Sequence, residues 1–211
     1  EEELKKGVIA TVSHQLKTPL TSIRMTIHVL LEERLGKLTE KQAELLVGAR
    51  EDGERLYSII EQLLQLSRIE SGKIAMNVES VSPLELIFEA KECFSRSAQD
   101  RGIALITNLP PDLPPVQSDR LLVHQVFDNL LSNALKYTEP GGRVTMSARA
   151  DAEFVWFSVA DTGKGIPAQY LQRILEQFFR VPGQASGTGV GLGLAIVKQI
   201  VDAHGGLVSV E

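Results

Sequence analysis

Two glycine-rich runs constrain this chain more than anything else in it: D-T-G-K-G-I-P, Asp161 to Pro167, and G-T-G-V-G-L-G-L, Gly187 to Leu194. A glycine backbone can approach a flat ligand closely, and the first run sets one carboxylate, Asp161, beside such backbone. The second opens an apolar helical stretch, and stacked amide N–H groups at a helix N-terminus bind phosphates. Together they read as a nucleotide site. Taken singly, either run is as readily a surface turn, because Gly-rich segments are common punctuation between elements.

A third element upstream changes that balance. In D-N-L-L-S-N-A-L-K-Y, Asp128 to Tyr137, the residues Asn129, Asn133, Lys136 and Tyr137 fall at i, i+4, i+7 and i+8. They share one helix face, while Val126, Leu130, Leu131 and Leu135 fill the rest of the turn. A stripe of two amides and an ammonium on an otherwise apolar helix needs a partner. Backbone groups would satisfy buried amides structurally. Functionally, an amide oxygen can ligate a hard cation and a lysine can neutralise a phosphate.

These segments resemble the motifs of sensor histidine kinases, which share an ATP-binding fold with a wider ATPase superfamily. Asp128 to Tyr137 resembles the N box, Asp161 to Pro167 the first glycine box, Gln177 to Arg180 the F box, and G-V-G-L-G-L the second glycine box, in matching order over roughly residues 80 to 211. The phosphoacceptor expected from that resemblance lies near the N-terminus, where S-H-Q-L-K-T-P-L-T-S-I, Ser13 to Ile23, is similar to the H box. Periodicity supports it independently: Leu4, Ile9, Val12, Leu16, Ile23, Ile27 and Leu30 recur at helical spacings. His14 stands two residues from both Val12 and Leu16, about 200° around the helix from each, and is predicted to point away from the apolar seam.

The resemblance assigns roles at both sites. His14 attacks the γ-phosphate of ATP through a ring nitrogen, and the phosphoryl group passes to an aspartate on a response-regulator receiver domain. Thr18, one turn on, resembles the position that aligns water for dephosphorylating that receiver. Asp161, an acceptor-only carboxylate, takes the exocyclic amine of adenine, and Gly163 and Gly165 let backbone and water line the base pocket. Asn133 is the expected Mg²⁺ ligand, with Asn129 near the phosphates. Lys136 and the amides of Gly189, Gly191, Leu192 and Gly193 balance the triphosphate charge, and Tyr137 packs near ribose and phosphates. Val181 to Ser186 resembles a mobile ATP lid, with Phe178 and Phe179 as its apolar hinge. One departure stands out: the family usually carries Glu or Asp directly after the histidine, whereas Gln15 stands here and cannot take a proton.

Composition narrows the partners. The 211 residues hold one large or two small domains. The net charge is −5 and the basic residues form no block, which argues against nucleic acid. A single cysteine, Cys93, excludes a disulfide framework within the chain; its helical context predicts a small buried side chain. No apolar run is long enough to span a bilayer. The chain opens on E-E-E-L-K-K without methionine, inside helical sequence, and is expected to be a fragment. By resemblance, an absent N-terminal sensor would anchor it at a bacterial inner membrane, leaving this region cytoplasmic.

The predicted order of elements is an antiparallel helical hairpin, residues 1–74, followed by an α/β sandwich of the histidine-kinase/Hsp90-like ATPase type, residues 75–211. The first helix runs from about residue 2 to Glu33 or Arg34, with Pro19 expected to kink it. Leu35 to Leu38 turns, and Thr39 with Gln42 forms a capping box opening a second helix that stops near Gly72. Such a hairpin covers half of its apolar surface, and a dimeric four-helix bundle would cover the rest. Strand Met76 to Val81, a Ser82-capped helix to about Arg101, strand Ile103 to Leu109, the helix Asp119 to Tyr137, strands Arg143 to Ala150 and Phe154 to Ala160, and helices Ala168 to Gln177 and Gly191 to His204 follow. Leu207 to Val210 is predicted as a strand that ends partway through the family's unit, a C-terminal truncation. Two other functions fit parts of the pattern: a dimeric scaffold that binds nucleotide without transfer, favoured by Gln15, and a chaperone- or topoisomerase-type ATPase clamp, against which the H box speaks.

Overall fold

A computed structural model of the chain describes residues 2–70, 76–183 and 190–211. They fall into two compact units, a helical one within residues 1–74 and an α/β one within residues 75–187 and 191–211. In the first, α1 (Glu2–Leu31) and α2 (Glu40–Glu70) form a hairpin. Gln42 Oε1 accepts the Thr39 N–H at 2.9 Å while Thr39 Oγ1 accepts the Gln42 N–H at 3.3 Å, the reciprocal capping box read from the sequence. Leu20, Ile60 and Leu64 close the apolar contact, with Tyr57 packed against them. Alongside it Arg24 binds both Glu54 oxygens at 2.6 Å. Lys17, seven residues earlier in α1, binds Glu61, seven later in α2, so the helices run antiparallel. The Tyr57 ring lies 4.4 Å from the Arg24 guanidinium and 5.3 Å from the Lys17 ammonium. Hydrogen bonds to Glu61 and Tyr57 raise the Lys17 pKa. α1 runs through Pro19 as one element, and that proline's missing N–H leaves the Gln15 carbonyl without its helical partner.

The α/β unit contains β1 (Glu79–Val81), α3 (Pro83–Asp100), β2 (Ala104–Asn108), β3 (Val116–Ser118), α4 (Arg120–Tyr137), β4 (Arg143–Ala150), β5 (Val155–Asp161) and α5 (Gly193–Ala203). β2 and β4 pair in parallel, and β4 and β5 in antiparallel, as a sheet ordered β2-β4-β5; β1 and β3 form a separate antiparallel pair. Alternation along β4 aims Val144, Met146 and Ala148 into the core and Thr145, Ser147 and Arg149 away from it. Against that face pack Leu86, Ile87 and Ala90 of α3 and Phe127, Leu131 and Leu135 of α4. Phe127 meets Phe157 edge-on at 5.6 Å. Ser82 caps α3 with Pro83 in the first turn, and Asp119 caps α4, its Oδ1 accepting the Leu121 and Leu122 N–H groups at 3.0 and 3.2 Å. Glu89 of α3 binds Arg120 and His124 of α4; Arg120 is the main cause of its carboxyl lying below the ordinary glutamate range.

The structure departs from the sequence reading in several places. The first strand spans only Glu79–Val81, where β3, unforeseen, pairs with it. Ala168 to Gln177 is a 3₁₀ turn, Ala168–Tyr170, followed by turns bonded mostly i to i+3. Ile174 alone in that stretch is buried, too little apolar contact to hold a ten-residue helix. The last helix starts at Gly193 because Gly191, at φ 83°, stands in a left-handed conformation that a helix cannot include. Leu207 to Val210 lies in no strand, since none of the described strands pairs with it. Cys93 is exposed, at the edge of a buried α3 stripe formed by Ile87, Ala90 and Ala98. The second helix's stop near Gly72 lies outside the described residues.

The β4–β5 connection follows the predicted hairpin. Asp151 Oδ1 accepts the Glu153 and Phe154 N–H groups at 2.9 and 2.8 Å, and Oδ2 accepts the Trp156 indole N–H. The Glu153 and Phe154 bonds, then the Trp156 bond, hold the carboxyl below the ordinary aspartate range. A depressed folded pKa adds stability that is present above the unfolded value of about 3.9 and lost as pH falls through the folded one. Asp151→Ala is therefore expected to lower the melting temperature near neutrality by an amount that shrinks below about pH 4. Melting curves of both proteins across that range check it; a pH-independent difference would assign the effect to packing.

Candidate functional site

α4 carries the polar stripe because its apolar residues are committed to the sheet. Asn129 and Asn133 each stand two residues from buried side chains, Phe127, Leu131 and Leu135, and so turn to the opposite side of the helix. The Asn129 amide nitrogen donates to the Gln125 carbonyl at 2.9 Å, which fixes the amide and frees its oxygen. That oxygen faces the first turn of α5: a Cβ on Gly193 would lie 2.8 Å from it. Asn129 thus meets the second glycine run. Leu192, buried, precedes α5 and anchors that end in the core. Gly191 packs flush on the Phe178–Phe179 backbone and accepts the Phe178 N–H at 2.9 Å, with Phe178 itself left-handed at φ 62°.

The first glycine run closes on the other end of α4. Asp161 ends β5, and its Oδ1 accepts the Gly163 N–H at 2.8 Å. A Cβ on Gly163 would lie 2.3 Å from the Tyr137 carbonyl oxygen, so only glycine allows the strand end to lie on the helix end. Gly165 follows in the left-handed region at φ 66° in open space. The Tyr137 ring has the Lys136 ammonium 5.0 Å from its centre and the Lys164 ammonium 5.1 Å away. Two cations on one ring make a locus that an anion would neutralise. Sequence reasoning passed over Lys164. Its position inside the first glycine run, where a ligand's charge is within reach, was the available signal.

Of the remaining predicted residues, Gln15 and Thr18 are exposed on α1. His14 lies in α1, and its side chain is outside what the structure describes, as are Gly189 and residues 184–186, the second half of the lid expected at Val181 to Ser186. Among the described residues no group of three or more His, Cys, Asp or Glu is placed to hold a metal ion. No helix among them is long and apolar enough to cross a membrane.

Comparison with known proteins bears on both halves. Residues 4–72 match the His Kinase A (phospho-acceptor) domain, and residues 118–211 match the histidine kinase-, DNA gyrase B- and HSP90-like ATPase domain. The chain belongs to the sensor histidine kinase family. It is 36% identical to the alginate biosynthesis sensor protein KinB of Pseudomonas aeruginosa over its whole length, which covers 35% of that protein. It superposes on full-length ShkA, solved in complex with AMPPNP, with a TM-score of 0.82 and 33% identity, covering 96% of this chain and 42% of that one. It also resembles the mycobacterial sensor histidine kinase MprB, at a TM-score of 0.54 and 35% identity over 64% of this chain and 85% of that one. The chain spans about a third of KinB and 26% of the sensor protein DivL of Caulobacter vibrioides. The fold of this histidine kinase core is therefore a helical hairpin region followed by an α/β ATPase domain, as predicted.

The two kinds of glycine at this site predict different penalties. In Gly163→Ala the new methyl meets fixed backbone, so the β5 end must move off α4, and a loss of about 3 kcal/mol or more is expected, as for overpacking at a rigid contact. In Gly165→Ala the space is open and only the left-handed backbone is strained, which costs roughly 1–2 kcal/mol. Urea unfolding of both variants measures the order; equal losses would mean that the Tyr137 contact is readily relaxed.

Proposed function

We propose that this chain is an ATP-dependent protein-histidine kinase that phosphorylates His14 and passes the phosphoryl group to an aspartate of a response-regulator receiver domain, with phosphatase action on that receiver through Thr18. The observation that carries the reading is the closure of both glycine runs on α4, which gathers Asp161, Asn129, Lys136, Tyr137, Lys164 and the α5 N-terminus. Asp161 Oδ2 takes the adenine amine while Oδ1 stays on the Gly163 N–H. Lys136, Lys164 and the amides of Gly191, Leu192 and Gly193 hold the phosphates. In phosphoryl transfer the protein chiefly positions groups and offsets charge. A ring nitrogen of His14 forms the N–P bond as the bond from the γ-phosphorus to the bridging oxygen breaks, and ADP leaves with that electron pair. The imidazolium proton passes to water, since Gln15 cannot accept it.

The donor set fits magnesium. With no acidic cage among the described residues, the cation would take phosphate oxygens, waters and the Asn133 amide oxygen, the sparse protein share typical of this ion. When bound, it neutralises triphosphate charge. The helical unit acts as a homodimer: Val12, Leu16 and Ile23 of α1 and Leu45 and Leu56 of α2 stay exposed beside the buried seam, and a second copy covers them as a four-helix bundle. We assign residues 1–74 to dimerisation and phosphotransfer and 75–211 to nucleotide binding. The region is read as working in the cytoplasm, as in a bacterial sensor kinase.

Incubation with γ-labelled ATP and Mg²⁺ should give acid-labile, alkali-stable label on the chain. His14→Ala is expected to abolish the label and leave ATP affinity within about twofold, whereas Asp161→Asn, which sets a donor against the adenine amine, weakens ATP by roughly tenfold or more. Label persisting on His14→Ala would reject this acceptor, and absence of label from the parent despite ATP binding would favour the scaffold reading.

Gln15 supplies a separate test. A carboxylate beside His14 accepts the imidazole proton, so Gln15→Glu is expected to raise the autophosphorylation rate several-fold, within the roughly 10²-fold that a positioned base contributes. Single-turnover rates at neutral pH measure it, and an unchanged rate would show that proton removal is not limiting.

A further inference from the structure

α5 ends on His204, Gly205 and Gly206. The Gly206 N–H bonds the Val201 carbonyl at 2.9 Å and the Gly205 N–H the Asp202 carbonyl at 3.0 Å, with Gly205 at φ 68°, the pair of bonds that stops a helix on a left-handed glycine. The glycines have a local reason to be there. His204 has a distant one. It is half-buried, with Nδ1 2.7 Å from the Ile200 carbonyl and Nε2 3.0 Å from the N–H of Asp119, 85 residues earlier. A carbonyl only accepts and a backbone amide only donates, so the ring is the neutral tautomer with its hydrogen on Nδ1 and its lone pair on Nε2.

Asp119 is the N-cap of α4. Its carboxylate is fully used: Oδ1 accepts from Leu121 and Leu122 at the helix end, and Oδ2 accepts the Asn77 N–H at 2.9 Å. In a capping box the N-cap's own N–H is satisfied by Glu or Gln at the third helical position. Here that position is Leu122, and the acceptor comes from another helix. From Asp119 to Asn129 α4 rises about 15 Å, and from Gly193 to His204 α5 rises about 16 Å. The Asp119–His204 bond and the Asn129–Gly193 approach therefore pin the two helices, antiparallel, at the two ends of one seam. Between the pins α5 buries Ile196, Val197 and Ile200, and apolar burial by itself is non-directional and does not set an axial position.

We propose that His204 is a positioning residue for the nucleotide site. By taking the Asp119 N–H it fixes the axial register of α5 along α4, and so holds Gly193 at the start of α5 against Asn129. The proposal rests on the nucleotide reading of that site and adds a control point roughly 15 Å from it. Asparagine and glutamine divide the ring's two functions. Asn places its amide where Nδ1 stands and keeps the link to Ile200; Gln places its amide oxygen where Nε2 stands and keeps an acceptor for Asp119.

The test is calorimetric titration of the 211-residue chain with Mg²⁺-ATP, together with the melting temperature of each protein. His204→Asn is expected to weaken ATP about tenfold and His204→Gln to stay within about twofold, while both lower the melting temperature, as loss of one hydrogen bond does. A ring that serves only to finish α5 gives the reverse order, and equal affinity in all three proteins likewise overturns the positioning role. Failure of the parent itself to bind ATP overturns the nucleotide reading and this proposal with it, and is told apart because it needs no variant. If His204→Asn does not fold, the ¹⁵N shifts of the parent's imidazole decide: a protonated Nδ1 with an accepting Nε2 is expected, and a protonated Nε2 overturns the proposal.

Discussion

Burial of one face of α4 against β4 and β5 is the constraint from which the rest of the α/β unit follows. Phe127 and Leu131 are almost wholly withdrawn from water, and burying each contributes about 1.5–3 kcal/mol. Once that face is committed, helical geometry leaves Asn129, Asn133, Lys136 and Tyr137 no orientation but outward from the sheet. The amide, lysine and tyrosine groups of the stripe are then carried on a helix whose position is set by apolar contact. The glycine runs answer the same constraint from the other side: Gly163 lets the end of β5 lie on the Tyr137 backbone, and Gly193 lets α5 approach the Asn129 side-chain amide.

Asp119 closes the frame at the far end. One residue caps α4, receives the Asn77 N–H from the stretch before β1, and donates to His204 at the end of α5. Removing its carboxylate would leave donors from two separate segments unsatisfied at a partly buried place, a larger cost than the loss of an isolated cap. The α3–α4 contact is reinforced differently, by Glu89 with Arg120 and His124 on a more exposed surface, where such pairs contribute little each.

What could be read from the sequence was what is decided locally. The Thr39–Gln42 box, the Ser82–Pro83 start and the Asp151 hairpin are set by neighbouring residues, and each stands where it was expected. The extent of α4 and its polar stripe followed from a strong 3.6-residue period. The failures share one physical origin, dependence on a distant partner. A three-residue strand such as Val116–Ser118 exists only because Glu79–Val81 lies beside it, and Leu207 to Val210, with β-forming residues of its own, has no such neighbour among the described strands. Ala168 to Gln177 has a helical composition but buries too little to hold it. The cation pair on Tyr137 was half legible: Lys136 lies on the stripe, while Lys164 reaches the ring only because the Gly163 turn folds back over the helix end.

The two units are held by different physics. In the α/β unit the helices are tied by buried side chains and by polar pins with fixed partners. In the helical unit, among the described residues, Leu20 packs with Ile60 and Leu64, Ile27 is also buried, and Lys17–Glu61 and Arg24–Glu54 flank the contact around Tyr57. Exposed ion pairs of this kind are worth at most about 1 kcal/mol each and weaken with salt. The half-buried bond from Asp119 to His204 between α4 and α5 is costlier to break than such a pair. Such a division would suit the proposed kinase reaction, in which the α/β unit holds nucleotide rigidly while the helix carrying His14 responds to small differential contacts, since a signal can shift an equilibrium only by its own differential affinity for the two states.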